Sequence, residues 1–188
     1  MNPDRRRAAG LAALERLGGP DAAAPILAAA DIAPDLARFA IDFAFGEVLS
    51  RPGLDVRTRE LCTVAALAAL EHPVSQLKWH AAAALHVGAG QSEIDQVQRM
   101  ACAYAHSSNA STVEGPLDPI TRELAVVALL TAIGTQPVPL RQHLRSALAA
   151  GATREQIVHV LEQMAIYAGF PAALNGVAAA REVFAESR

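Results

Sequence analysis

The hydrophobic pattern of the first fifty residues predicts two amphipathic helices. One covers residues 5–17 and is followed by a turn at Gly18-Gly19-Pro20. The other covers residues 34–50 and ends before Arg51-Pro52-Gly53. No other part of the chain repeats this pattern, so residues 1–53 are predicted to form an N-terminal helical extension.

The rest of the chain contains an internal duplication. Residues 54–97 align with residues 117–160 at a constant offset of 63, without a gap, and 18 of the 44 aligned positions are identical. Alanine matches by chance in a chain so rich in it, but the identities also include Asp, Arg, Glu, His and Gly. The sequence therefore predicts a first repeat over 54–105, a linker over 106–116 and a second repeat over 117–188.

Each repeat is expected to contain three helices with clear start and stop signals. In the second repeat, Asp118 is a suitable N-cap before Pro119, and Thr153 with Gln156 forms a capping box. The helix carrying His143 is predicted from about Pro139 to Ala150, before Gly151. The next helix is predicted to continue to Tyr167 and to be broken at Gly169-Phe170-Pro171, and a last helix is predicted from about Pro171 to Ala185.

Composition supports an all-α fold with a single compact body. The chain has 188 residues, of which 52% are hydrophobic but only 4% aromatic, so its bulk is Ala, Leu and Val. A formal charge of −3 gives no footprint for nucleic acid. The apolar stretches are too short for a membrane span, which predicts a soluble, cytoplasmic protein. Cys62 and Cys102 lie outside any ligand cluster, so neither a disulfide nor a metal site is expected.

The polar residues shared by both repeats are the candidates for chemistry. Glu60 and His80 lie among apolar residues in the first repeat, and Glu123 and His143 match them in the second. Apolar surroundings favour a protonated carboxyl group, and imidazole exchanges protons near neutral pH, so each pair could transfer a proton to a substrate. The alternative is a buried Glu-His hydrogen bond that only fixes helix packing.

Other retained or bulky residues are candidates for binding a substrate. Arg59 and Arg122 precede the two glutamates and could bind a carboxylate through a bidentate contact, or could anchor the start of a helix. Trp79 and Tyr167 are expected near the histidine helices, where filling the core or an interface is the alternative to stacking on a ligand.

Two motifs carry a resemblance to a known family. Residues 45–54 (FGEVLSRPGL), followed by Thr58-Arg59-Glu60-Leu61, and later residues 167–173 (YAGFPAA), resemble the carboxymuconolactone decarboxylase family of the alkylhydroperoxidase D-like superfamily. The first motif lies in or just before the first repeat and the second motif in the second repeat, so the chain resembles a fused double form of a unit that usually occurs once.

The resemblance implies an all-α helical bundle of the alkylhydroperoxidase D-like type. It implies assembly into rings, a homotrimer in this fused form, and pockets between helices for a small-molecule substrate. It also implies that Glu60, Glu123, His80 and His143 are the active-site acid–base residues, with Arg51 joining Arg59, Arg122, Trp79 and Tyr167 as candidate substrate-binding residues. Carboxymuconolactone decarboxylation needs no cofactor, so none is expected.

Departures from the family pattern leave three functions open. Peroxidase members have CxxC seven and four residues before the histidine, where this chain has Pro73 and Gln76, and Gln136 and Pro139. The favoured function is a cofactor-independent decarboxylase, lyase or isomerase acting on a small carboxylated or keto ring compound. The alternatives are a non-catalytic, ring-forming ligand-binding or assembly protein, and a thiol peroxidase using Cys62, which the missing CxxC disfavours.

Overall fold

The computed structural model describes residues 2–71, 74–106 and 113–186. Every regular element in these ranges is helical, as the sequence predicts. The chain divides into two compact units, Met1–Pro52 and Gly53–Arg188. The predicted linker lies partly outside the described residues.

The first unit begins with helix α1 (Pro3–Gly18), whose first turn is capped by Asn2 through a 3.0 Å bond from the Asp4 amide. Short helix α2 (Ala24–Ala28) follows, and a single 3₁₀ turn covers Ala29–Asp31. The second predicted helix is present but changes its winding: α3 (Pro34–Arg38) continues as a π-helical segment, Phe39–Val48.

Two glycines allow α1 and the π-helical segment to touch backbone to backbone. A Cβ atom on Gly10 would overlap with the carbonyl of Ile41, and one on Gly46 would overlap with the carbonyl of Arg6. An ion pair between Arg6 and Glu47, with 3.0 Å between Nε and Oε2, lies beside this contact. The glycine of the FGEVLSRPGL motif therefore has a packing role.

The second unit contains the two repeats. The first repeat forms α4 (Val56–Ala69), α5 (Val74–His86) and α6 (Gln91–His106). The second forms α7 (Pro119–Ile133), α8 (Pro137–Ala149) and α9 (Arg154–Tyr167), and α10 (Gly169–Glu186) follows. This confirms three matching helices in each repeat.

Capping residues act as predicted. Asp55 accepts from the Thr58 amide and Asp118 from the Thr121 amide, both at 2.9 Å. Thr153 forms the expected capping box at α9. The residues after α5 and α8 turn at Gly88 and Gly151, with φ of 99° and 103°.

Helices α8 and α10 each begin two residues earlier in the structure than the sequence predicts. α8 begins at Pro137, a proline that tolerates the first helical position. α10 begins at Gly169, which puts Pro171 at its third position. The first N–H groups of a helix have no partner within the helix, so the missing N–H of this proline costs no hydrogen bond.

The core of the second unit is shared by both repeats. Helices α4 and α7, the first helix of each repeat, are buried along most of their length, and residues of both belong to one hydrophobic cluster. Among the described residues, no helix is both long and apolar enough to cross a bilayer.

Candidate functional site

The first Glu-His pair connects α4 and α5. His80 Nδ1 lies 2.7 Å from Glu60 Oε2, and the two side chains are only 6% and 1% exposed. The sequence brings these residues together through two helices of one repeat, twenty positions apart. Because both partners are removed from solvent, this pair has the character of an internal packing contact.

The second pair repeats this geometry between α7 and α8 but reaches the surface. His143 Nδ1 lies 2.7 Å from Glu123 Oε2, the same separation as in the first pair. The Glu123 side chain is 4% exposed, whereas that of His143 is 17% exposed. A buried carboxylate thus orients an imidazole that is partly accessible to solvent.

Each imidazole also meets a tyrosine from the opposite repeat. The rings of His80 and Tyr167 have centroids 5.4 Å apart at 87°, and those of His143 and Tyr104 have centroids 5.5 Å apart at 89°. Tyr104 Oη also lies 2.7 Å from His143 Nε2. Both sites therefore combine Glu and His of one repeat with Tyr of the other.

Tyr104 was not among the predicted site residues, although its signal was present in the sequence. Tyr104 aligns with Tyr167 at the same offset of 63 that relates the two repeats. The alignment does not show that each tyrosine packs against the histidine of the other repeat, because this depends on how α6 packs beside α7.

The two arginines, equivalent in sequence, have different surroundings. Arg59 is 1% exposed and donates to the Leu54 carbonyl and to Gln163 Oε1, both at 3.2 Å. Gln163 Nε2 in turn donates to the Arg59 carbonyl at 2.9 Å and to Thr63 Oγ1 at 2.8 Å. This buried network joins α4 to α9 and gives Arg59 a structural setting; sequence analysis did not single out Gln163 or Thr63.

Arg122 instead lies beside the more exposed pair. Its Nη2 atom donates to Glu123 Oε1 at 2.6 Å, and its side chain is 30% exposed. Both carboxylate oxygens of Glu123 are therefore engaged, one by Arg122 and one by His143. The partly exposed Arg122 side chain is thus a candidate for contact with a ligand.

The other predicted binding residues are distributed unevenly. Trp79 packs edge-on against His80, with centroids 4.8 Å apart at 84°. Burial and the nearby Glu60 raise the pKa of Tyr167, although a hydrogen bond with Thr63 opposes the shift. Arg51 belongs to the first unit, where its Nη2 lies 3.8 Å from Glu47 Oε1.

The cysteines are not placed for dithiol chemistry. Cys62 is fully buried, and burial raises the pKa of its thiol, which opposes formation of the reactive thiolate. Cys102 is exposed and free. The described residues contain no group of three or more His, Cys, Asp or Glu side chains that could hold a metal ion.

Two cavities lie away from the Glu-His pairs. One, of about 360 Å³, lies between α9 and α10 and is lined by residues such as Leu161 and Phe184. The other, of about 350 Å³, lies between α7, α8 and α10 and includes Gln136 and Arg141. Neither is lined by His80 or His143.

The arrangement suits proton transfer better than binding of a metal or a thiol reaction. In each pair, a carboxylate fixes the orientation of an imidazole through Nδ1. The second pair also has a partly exposed guanidinium beside the carboxylate and a phenol hydrogen-bonded to Nε2 of the imidazole. These four groups, Glu123, His143, Arg122 and Tyr104, form the candidate acid–base site.

Comparisons with known proteins agree with the fold. The model of the carboxymuconolactone decarboxylase family matches residues 34–113 and again residues 106–182. Over 71 residues the chain is 39% identical to an uncharacterized 15.0 kDa protein from the nqo9-nqo10 intergenic region of Paracoccus denitrificans, covering 37% of this chain and 53% of that protein. Over 64 residues it is 36% identical to a 4-carboxymuconolactone decarboxylase of Acinetobacter baylyi, covering 34% of this chain and 47% of that enzyme.

The chain spans about half the length of the curated relatives it matches. The two family matches, by contrast, cover most of the chain one after the other. With the internal duplication and the matching helices, they show that this protein belongs to the carboxymuconolactone decarboxylase family and carries two copies of the family unit.

Proposed function

We propose that this protein is a cofactor-independent acid–base enzyme, a decarboxylase or related lyase or isomerase. Its substrate is a small ring compound with a carboxylate or keto group, and its working site is formed by Glu123, His143 and Arg122. Support comes from family membership and from the similarity to a 4-carboxymuconolactone decarboxylase.

The observation that carries the proposal is the contrast in exposure within the second pair. Glu123 is 4% exposed and His143 is 17% exposed, while their atoms Oε2 and Nδ1 are 2.7 Å apart. The carboxylate holds the ring in one orientation through this hydrogen bond. The imidazole can then pass a proton toward a substrate, directly or through a hydrogen-bonded neighbour.

In a decarboxylation, the bond between the ring carbon and the carboxylate breaks, carbon dioxide leaves, and the electron pair remains on the ring carbon. A neighbouring carbonyl delocalises that pair as an enolate. A proton from the acid–base site then forms the new C–H bond. Arg122 orients the substrate through an oxygen of its carbonyl or of a second carboxylate.

We assign the more deeply buried pair, Glu60 and His80, to structure. Trp79 and Tyr167 pack edge-on against the His80 ring, and the Arg59 network lies on the same helix as Glu60. Polar groups enclosed in this way stabilise packing only while every partner stays satisfied. We therefore expect His80→Ala to lower the free energy of unfolding.

The test is release of carbon dioxide from a panel of carboxylated γ-lactones and cyclic β-keto acids. Activity in the wild type that falls about 100-fold or more in His143→Ala, with an unchanged unfolding midpoint, supports the proposal. Full activity in the His143→Ala variant overturns it. If no substrate turns over and the variants differ only in stability, the protein is a ligand-binding or assembly protein instead.

Two further expectations accompany the proposal. A peroxide assay with a thiol reductant should give no Cys62-dependent turnover, because burial suppresses the thiolate. The homotrimer implied by the family resemblance stays a prediction, which light scattering coupled to gel filtration can measure.

A further inference from the structure

We propose that Tyr104, supplied by the first repeat, is the catalytic acid that delivers the proton to substrate in the second repeat's site, and that His143 acts through it. The inference rests on the proposed function and deepens it. It names a catalytic residue that lies outside the repeat carrying Glu123 and His143.

The argument begins with the hydrogen bonds of the imidazole. Glu123 Oε2 lies 2.7 Å from Nδ1 of His143, and Tyr104 Oη lies 2.7 Å from Nε2. When the ring is protonated, Nδ1–H donates to the carboxylate and Nε2–H donates to the phenol oxygen. Neither N–H then points at a substrate, whereas the O–H of Tyr104 is released to do so.

Tyr104 is held for this task by both its ring and its backbone. The phenol ring lies edge-on to the imidazole, at 89°. Gln136 Nε2 donates to the Tyr104 carbonyl at 2.8 Å. Gln136 stands at one of the two positions where peroxidase members carry cysteine, so in this chain that position holds a hydrogen-bonding amide instead of a thiol.

The surroundings keep the phenol in its donor form. Burial raises the pKa of Tyr104, the negative charge of Glu123 raises it further, and Arg122 partly opposes the shift. The phenol is accordingly protonated in neutral solution. The residue is nevertheless partly exposed, so a ligand can approach its ring.

The proton path can be written with every proton counted. As the carbon–carboxylate bond breaks, carbon dioxide leaves and the electron pair stays on the ring carbon. The O–H proton of Tyr104 forms the new C–H bond, while the Nε2–H proton of His143 moves to the phenol oxygen. Neutral His143 then takes one proton from water, which restores the starting state.

The test compares Tyr104→Phe with Cys102→Ser, a change on the exposed face of the same helix. Tyr104→Phe is expected to lower kcat about 100-fold with KM changed less than about threefold, because the lost group donates a proton in the transition state. Cys102→Ser is expected to keep wild-type kcat. Wild-type kcat in Tyr104→Phe overturns the proposal.

The pH profile of kcat gives a second readout that a purely structural tyrosine would not move. Wild-type kcat should fall at alkaline pH once the relay, in which His143 and Tyr104 share a hydrogen bond, has lost a proton. An alkaline limb that persists unchanged in the residual activity of Tyr104→Phe contradicts the assignment.

A third measurement separates this proposal from the proposed function. In ¹⁵N NMR spectra of the histidine rings, Tyr104→Phe should shift the Nε2 signal of His143 and leave Nδ1 nearly unchanged, whether or not a substrate is known. No shift at Nε2 overturns the relay. Absence of turnover in the wild type, together with the Nε2 shift, would instead contradict the proposed reaction while supporting the hydrogen-bonded relay.

Discussion

Arg59 and Arg122 show how one residue type can serve two purposes at equivalent positions. Arg59 is enclosed and its guanidinium bonds to a backbone carbonyl and to the Gln163 amide, so its removal leaves buried acceptors without a donor. Arg122 is 30% exposed and contacts the neighbouring Glu123. The two arginines therefore have different roles: Arg59 connects two helices, and Arg122 pairs with its neighbour on the same helix.

We expect Arg59→Met to reduce the free energy of unfolding by about 2–4 kcal/mol, because buried hydrogen-bond partners are left unsatisfied. Arg122→Met is the comparison variant and should cost less than Arg59→Met, because the Arg122 side chain is 30% exposed and His143 still contacts the Glu123 carboxylate. Urea unfolding followed by circular dichroism measures both. Equal losses in the two variants would contradict the structural role of Arg59.

Asp118 provides a prediction with a defined pH dependence. Burial acts to raise its pKa, but hydrogen bonds from the backbone and hydroxyl of Thr121 and the charge of Arg57 outweigh burial, so the pKa lies below its ordinary value. A depressed folded-state pKa stabilises the fold above the unfolded-state pKa. That stabilisation is lost as the pH falls through the folded-state value.

Asp118→Ala should therefore cost about 1 kcal/mol at neutral pH and progressively less in acid. Asp118→Asn keeps a capping oxygen without a titrating charge, so it should cost less than Asp118→Ala at neutral pH and should remove the pH dependence that this group contributes. Unfolding midpoints measured from pH 7 to pH 2 check this. A cost for Asp118→Ala that does not change with pH would be inconsistent with the role given to the charge.

At the scale of elements, packing between helices depends on where side chains are absent. Gly10 on α1 and Gly46 on the π-helical segment leave no Cβ at the points where the two backbones meet. This close approach coincides with the change from α to π winding after Arg38. Small residues at these positions are required by contact rather than by a turn.

Gly46→Ala should loosen the first unit, at a cost of about 1–3 kcal/mol, because the added methyl group would overlap with a backbone carbonyl that cannot rotate away. Gly90→Ala is the control, since its Cβ would meet its nearest neighbour at an ordinary 3.5 Å. Limited proteolysis should cut the variant faster within residues 1–52. Protection equal to that of Gly90→Ala would argue against the contact.

Local signals explain how much of the fold could be predicted from the sequence. Asp55, Asp118 and Thr153 cap helices through residues three positions away, so their roles are visible without tertiary structure. The π-helical winding could not be predicted, because it accompanies contacts with a distant helix. The same holds for the starts of α8 and α10, where proline tolerates several early positions.

The candidate site, too, could be predicted only in part from the sequence. Glu-His pairing within a repeat follows from two neighbouring helices and was anticipated for Glu60 with His80 and for Glu123 with His143. The partner of Nε2 comes from the other repeat, 39 residues away in sequence. Sequence periodicity carries no information about which tyrosine meets which imidazole.

At the scale of the whole second unit, the two repeats share one core. Leu61 on α4 and Leu124 on α7 occupy equivalent positions and both are 0% exposed within the same cluster. Their environments link the stability of one repeat to that of the other. Residues Gly53–Arg188 are thus expected to unfold in a single cooperative transition.

Leu61→Ala and Leu124→Ala should each cost about 2–5 kcal/mol and shift that one transition as a whole. Leu85→Ala, at a side chain that is 44% exposed, should cost far less. Scanning calorimetry together with NMR signals of His80 and His143 would follow both repeats at once. Two transitions, with only the mutated repeat shifted, would exclude a shared core.

Because each histidine contacts the tyrosine of the other repeat, the formation of a complete site depends on whether the two repeats are joined in one chain. In this arrangement a lone repeat cannot bring its own phenol to its own imidazole, so separate copies would have to collide before a complete site existed. Joining the copies in one polypeptide makes that encounter intramolecular. The hydrogen bond between Tyr104 and His143 should consequently survive extreme dilution of the protein.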